Sequence, residues 1–391
     1  MRTRDLLLPL LLAPALASAQ AQNPLAIPPA LDLDTFELVV DEHIHQFYPG
    51  VNTATYGASA EYLGPTLIMH RGDTARVRVQ NELAQITNMH WHGLQVPGEF
   101  DGGPPREIAP GDSWTATYHV KNPAGTYWYH PHPHELTAEQ ANKGIAGFII
   151  VQDSAEGALP LPRTYGVDDF PVVVQDRRFL PNGNFVFGPY GDSVLVNGTP
   201  RPYLECPAQV VRLRLLNGSN ARIYPLGFED GRSFSVIASD GGLLNAPVDM
   251  DRVWLSNGER AEILLDLTGL EGVRRLVAQG LEISALQKGI LASGGHHAHR
   301  LPPADGALLD AEQHHHAYIG VVLTVEDQRL EGGVDHAHRL PPADGALLDA
   351  EQHHHAYIGV VLTVEDQRLE GGVDHAHRLP PADGALLDAE Q

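Results

Sequence analysis

From residue 36 onward, apolar and polar residues alternate with period two in short runs, each closed by a turn signal. Ala75-Arg76-Val77-Arg78-Val79 and Trp114-Thr115-Ala116-Thr117-Tyr118 are two such runs. Successive side chains on an extended strand point to opposite faces, so each run buries one face and wets the other. Arg71-Gly72-Asp73, Pro110-Gly111-Asp112 and Pro123-Ala124-Gly125 supply the turns. A connector around residues 160–165 leads to a second series at 171–175, 210–216, 233–238 and 260–267. Between these lie Asn182-Gly183, Asn197-Gly198, Asn217-Gly218 and Asp240-Gly241-Gly242. Short strands separated by such turns define an all-β sandwich or barrel.

Residues 297–335 and 336–374 are identical over 39 positions, and 375–391 begins a third copy. A solenoid is not expected, because its neighbours bury a shared apolar face and this unit has one strand-like run, 317–325, beside a Pro-Pro break. Perfect identity points instead to tandem duplication or to an error in assembling the DNA sequence. The second and third copies are expected to pack poorly.

The histidines are unevenly spread. Nine precede residue 135, none falls in 136–295 and thirteen lie in 296–377. Two early segments are informative: His90-Trp91-His92-Gly93, and Tyr127-Trp128-Tyr129-His130-Pro131-His132. On a strand, residues i and i+2 share a face, so each His-x-His pair aims two imidazoles one way. Two strand ends side by side would converge four. Neutral imidazole suits copper, zinc, iron and nickel, so this pattern alone leaves the metal open. The later clusters, such as His314-His315-His316, read equally as loose metal sites or as a polar linker.

The stretch HWHGLQVPGEFDGG at residues 90–103, with His130-Pro131-His132, resembles the first two copper-binding motifs of the multicopper oxidases. The likeness is to the bacterial branch of laccases and periplasmic copper oxidases. VNGTPRPYL, RLRLLNGSNAR, ASDGG and GERAEILLDL, within residues 195–267, resemble the middle domain of the same family. The resemblance implies two cupredoxin-like Greek-key β-sandwich domains, at 20–160 and 161–290, followed by a repetitive His-rich tail at 291–391. It implies that His90 binds a type 2 copper, that His92 and His130 bind one of a pair of type 3 coppers, and that His132 binds the other. Asp101 matches an acidic residue that handles protons beside the type 2 copper; it reads equally as a turn aspartate before Gly102-Gly103. His134 reads as a surface neighbour.

The family's third domain, with its own His-x-His motifs and a His-Cys-His segment, has no counterpart, and the repeat stands in its place. A blue copper site needs one cysteine and two histidines. The single cysteine, Cys206, has no histidine near it in sequence and reads as a small buried residue. The expectation is a copper half-site of type 2/type 3 character with no type 1 site. The implied ancestral activity is oxidation of phenols or metal ions with reduction of oxygen to water, inactive in this chain unless another chain completes the copper site. The alternative is a non-catalytic cupredoxin scaffold acting through partners, since some members of this branch have lost their copper and serve the cell-division machinery.

Arg2 and Arg4, the apolar run 6–12 and Ala17-Ser18-Ala19 read as a secretion signal over residues 1–19, and imply a periplasmic or secreted protein. The arginines are not adjacent, so the twin-arginine signal is not met. No later run reaches the roughly 18 apolar residues of a membrane span. A formal charge of −23 argues against nucleic-acid binding, which neutralises phosphate with Lys and Arg. No Gly-x-Ser-x-Gly or Gly-x-Gly-x-x-Gly stands in a fitting context, which excludes the α/β-hydrolase and Rossmann readings.

Overall fold

A computed structural model describes residues 23–270 and 272–278, together with the strands Tyr318–Val325, Tyr357–Ile358 and Val361–Glu365. The proposed signal, residues 1–19, and most of the His-rich tail lie outside the described residues. The architecture is all-β, two sandwiches in tandem.

In the first sandwich, one sheet runs in the order Val51–Ala58, Thr35–Tyr48, Thr74–Asn81, Ser113–His119. The facing sheet runs Ala30–Asp32, Thr66–His70, Gly147–Gln152, Gly125–His130, His90–His92. Period-two alternation does the sorting. Phe36, Leu38 and Val40 point inward from one strand and Ala75, Val77 and Val79 from the next, while Arg76 and Arg78 face out. Arg78 reaches Glu37 on the neighbouring strand. Trp91, Tyr129 and Ile149 close the core from the other sheet, each essentially without exposure. Parallel pairing of Thr35–Tyr48 with Thr74–Asn81, and of Thr66–His70 with Gly147–Gln152, marks the crossovers of a Greek key.

The second sandwich has a seven-stranded sheet in which Val210–Asn217 lies between Asp169–Arg177 and Arg260–Asp266. Asn197-Gly198 forms a two-residue hairpin loop with φ of 48° and 76°. Positive φ at both positions is the type I′ requirement, and Asn-Gly is the pair that meets it at least cost. The facing sheet contains Pro202–Pro207, Gly272–Ala278, Tyr224–Phe228 and Arg252–Leu255, with strands of the repeat and Asn23–Pro24 added to it. Cys206 is buried in this core among Val172, Leu213 and Leu226. Burial pushes its thiol well above the ordinary range.

A third apolar cluster joins the two sandwiches. Phe47, Tyr62, Trp128 and Phe148 of the first pack on Val173, Leu195 and Leu216 of the second. A buried ionic network lies beside it. Glu262 pairs with both Arg212 and Arg214, Arg214 is also held by Asp169 at 2.7 Å, and Arg212 by Glu156 at 2.8 Å. Thr126 on the strand Gly125–His130 donates to Glu262 Oε1 at 2.7 Å, which ties that strand to the second domain.

Candidate metal centre

The strands His90–His92 and Gly125–His130 pair antiparallel at the edge of their sheet, with His90 opposite His130, Trp91 opposite Tyr129 and His92 opposite Trp128. Alternation puts Trp91 and Tyr129 into the core and turns His90, His92 and His130 to the other side. One nitrogen from each of these three imidazoles lies within 4.8 Å of the others. His92 Nδ1 is 3.1 Å from His130 Nε2. Two nitrogens bound to one ion at about 2.0 Å and near-tetrahedral angles stand about 3.2 Å apart, so this pair is spaced for a shared metal. His132 follows on the Pro131-His132-Pro133 turn, its ring 5.5 Å from that of His90 and 6.0 Å from that of His130. The structure therefore brings the four histidines named from the sequence into one cluster.

Each ring is set by its surroundings. His90 Nδ1 lies 3.0 Å from the Asp101 carbonyl and 3.2 Å from its carboxylate, which leaves Nε2 for the centre. His130 Nδ1 donates to the Pro131 carbonyl at 2.9 Å and is likewise left with Nε2. Such outer contacts fix tautomer and orientation in metal-binding histidines. His132 Nδ1 is buried and has no hydrogen-bond partner among the described residues. An orphaned buried nitrogen in a cluster of imidazoles is what a site built for a metal leaves when only protein is counted. The residues thus fit a metal that favours imidazole, copper included.

Burial dominates the electrostatics. It lowers His92 to about 4, helped by the Arg260 guanidinium and then by His90 and His132. It lowers His130 to about 3, against the opposing hydrogen bond to Pro131 and together with its three neighbours. Both rings stay neutral near pH 7, the form that binds metal.

Asp101 ends the one-turn helix Gly98–Phe100, whose Phe100 carbonyl accepts from Trp91 Nε1 at 2.9 Å. Gly102 follows with φ of 74°, and a Cβ there would sit 1.7 Å from the Met89 carbonyl oxygen. Only glycine lets this turn close on the histidine strand. A cleft of about 450 Å³ lined by Val96, Glu99, Asp101, Pro105 and Arg106 opens beside Asp101. His134 is exposed. His45 and His70 pair with Glu61 and Asp32 at the surface, away from the cluster. Cys206 sits in the second domain's core, and no histidine is among the buried residues packed around it.

Three contributors were not legible as site residues. Asn88, fully buried, accepts from the His132 backbone N–H at 2.5 Å and donates to the Gly103 carbonyl at 3.2 Å, so it couples the two motifs. Arg260 and Gly258 come from the second domain. Arg260 donates to the carbonyls of Thr126, Gly258 and Asp240. Gly258 lies against the site: a Cβ there would meet His92 Cε1 at 3.0 Å. No local spacing announces contacts made across a domain boundary.

Two cupredoxin-like sandwiches carry an edge cluster of imidazoles that could hold a metal ion. The comparisons with known proteins sharpen this picture: residues 40–156 match the multicopper oxidase family, and the described domains have its fold. Cell division protein FtsP of Escherichia coli K12 is 40% identical over 261 residues, covering 64% of this chain and 56% of FtsP. FtsP of Salmonella typhimurium is 39% identical over 260 residues, covering 64% and 55%. The chain thus spans little more than half the length of these relatives. Among solved structures, the laccase-like multicopper oxidase CueO from Ochrobactrum sp. shares 38% identity at a TM-score of 0.64, covering 66% of this chain and 61% of that one. McoA from Aquifex aeolicus shares 31% at 0.64, covering 67% and 61%. No helix among the described residues is long and apolar enough to cross a membrane.

Proposed function

We propose that this chain is an exported, periplasmic or secreted, copper-binding protein that presents one half of an oxygen-reducing copper centre. The observation that carries the reading is the convergence of His90, His92, His130 and His132, with the orphaned Nδ1 of His132 among them. By the family pattern His90 would hold a type 2 copper, His92 and His130 one type 3 copper, and His132 the other. Bound copper would supply one-electron redox chemistry and a place for oxygen. The chain's own residues orient and shield: Asp101 fixes His90, Asn88 fixes His132, and Trp128 packs at a tilt against His130 with ring centroids 4.2 Å apart. The Asp101 carboxylate, beside the cleft, is placed to exchange a proton with solvent.

Oxidation of phenols or metal ions belongs, in this reading, to an assembly in which another chain adds the complementary histidines and a blue copper. Cys206, enclosed by apolar side chains, does not furnish that electron entry. The second reading, a non-catalytic scaffold, is favoured by the FtsP relatives at 40% identity, which are named for cell division.

Copper titration followed by electron paramagnetic resonance separates the two. The copper reading expects tight Cu(II) binding with nitrogen hyperfine structure, weakened at least tenfold in a His90→Ala/His132→Ala variant. Equal binding by wild type and variant leaves the scaffold reading. Oxygen uptake with a phenol is expected to be negligible for the chain alone.

A further inference from the structure

The imidazole cluster stands between charges of opposite sign. At the His90 end the Asp101 carboxylate lies 3.2 Å from Nδ1. At the His92 end lies a guanidinium that the strand Arg260–Asp266 brings across the domain boundary. Arg260 Nε donates to the Thr126 carbonyl at 3.1 Å, on the strand that ends in His130. Its Nη1 donates to the Gly258 carbonyl at 2.9 Å, and a Cβ on Gly258 would meet His92 Cε1 at 3.0 Å. Its Nη2 faces Gly93, the residue after His92, where a Cβ would stand 2.7 Å from it. The guanidinium thus borders the segments that carry both imidazoles, and arginine stays protonated in proteins. Its counter-charge is lopsided. Asp240 Oδ1 holds Nη1 at 2.9 Å and the Arg260 backbone N–H at 2.7 Å. That carboxylate is 47% exposed and the Arg260 side chain 2%, so solvent screens the negative partner more than the positive one.

The clustered nitrogens of His90, His92 and His130 belong to neutral imidazoles, which bring no negative charge to an ion. An ion at the His92 end therefore meets a net positive field, and such a field costs a doubly charged ion more than a singly charged one. We propose that Arg260 is a specificity-determining residue of this centre: its charge biases the His92–His130 pair toward cuprous over cupric ion. The inference rests on the copper-binding reading and adds to it the valence that is held. Asp101, of opposite sign, confines the bias to the His92 end.

The test is the ratio of Cu(I) to Cu(II) affinity. Each ion is titrated without oxygen against a chromophoric competitor, and a His92→Ala/His130→Ala variant, which keeps the chain's other histidines, supplies the background. Loosening of the site weakens both valences together and leaves the ratio alone, whereas loss of a charge moves it. Arg260→Gln should shift the ratio about tenfold toward Cu(II), equivalent to about 59 mV for a one-electron couple. Arg260→Lys keeps the charge and loses the fork, and should hold the ratio within about threefold of wild type while both affinities fall. Asp240→Asn removes the counter-charge from a half-exposed position and leaves an acceptor for the Arg260 N–H, so it should shift the ratio about threefold toward Cu(I). It carries the test by itself if the Arg260 variants do not fold. An unmoved ratio in Arg260→Gln, with both affinities lower, makes Arg260 a strut between the domains and overturns the proposal. An unmoved ratio in Asp240→Asn overturns it as well. Wild type that binds neither valence above background sinks the copper reading itself and the proposal with it, a failure the same titration tells apart.

Discussion

His92 Nδ1 and His130 Nε2, on adjacent strands, lie 3.1 Å apart. Two buried nitrogens this close share either a proton or an ion. Burial pushes both rings below the ordinary histidine range and keeps them neutral, so the shared proton is the N–H of one imidazole donated to the other, and an ion would take its place between the same two nitrogens.

That depression fixes a pH dependence. The unfolded reference is about 6.5. The folded values are about 4 for His92 and about 3 for His130. A group whose folded value is depressed contributes stability that is complete above the unfolded value and lost as pH falls toward the folded one. The metal-free protein should therefore lose thermal stability between pH 6.5 and about 3, and His130→Asn should flatten that limb. Melting curves at pH 7.5, 5.5 and 4.5 check it; parallel curves for wild type and variant would remove the histidines as the cause.

Asp101→Ala should weaken copper binding about tenfold without unfolding the protein. The carboxylate 3.2 Å from His90 Nδ1 is lost, but the Asp101 carbonyl at 3.0 Å still accepts, so the loss falls at the low end of what outer contacts contribute. Calorimetric titration reads it, and unchanged affinity would make Asp101 a turn residue only.

Glu262→Ala should destabilise by roughly 3–5 kcal/mol, because it strips a carboxylate from two buried guanidiniums and from Thr126. Glu61→Gln, which breaks the exposed pair with His45, should cost under about 1 kcal/mol. Denaturant unfolding of the two variants measures the contrast.

Cys206→Ala should leave the copper spectrum unchanged and cost roughly 1–2 kcal/mol through the small cavity it opens. Intense blue absorption in wild type, lost in this variant, would place a type 1 copper at Cys206.

The strands and the histidines are legible in the sequence because both signals are local. Period two marks Thr74–Asn81 and Ser113–His119, and the i, i+2 spacing marks His90 with His92 and His130 with His132. Asn-Gly at 197–198 announces its hairpin for a reason as local, the sign of φ. The run at 317–325 is likewise readable as a strand, and Tyr318–Val325 is one. Its neighbours are not readable, since pairing with Gly272–Ala278 depends on which edge the sheet leaves open. Arg260, Gly258 and Asn88 escape for the same reason: nothing within a few residues of them tells that they sit against imidazoles.

The interdomain contacts also limit how such a centre can be inherited. Thr126, four residues before His130, is held by Glu262 and Arg260 of the second domain, and Gly258 lies against His92. A gene fragment ending near residue 160 would carry all four histidines into a new context yet leave behind the groups that seat their strand. Exchange of the first domain alone between related genes should therefore scatter the imidazoles, and recombination that preserves the centre should move both domains together.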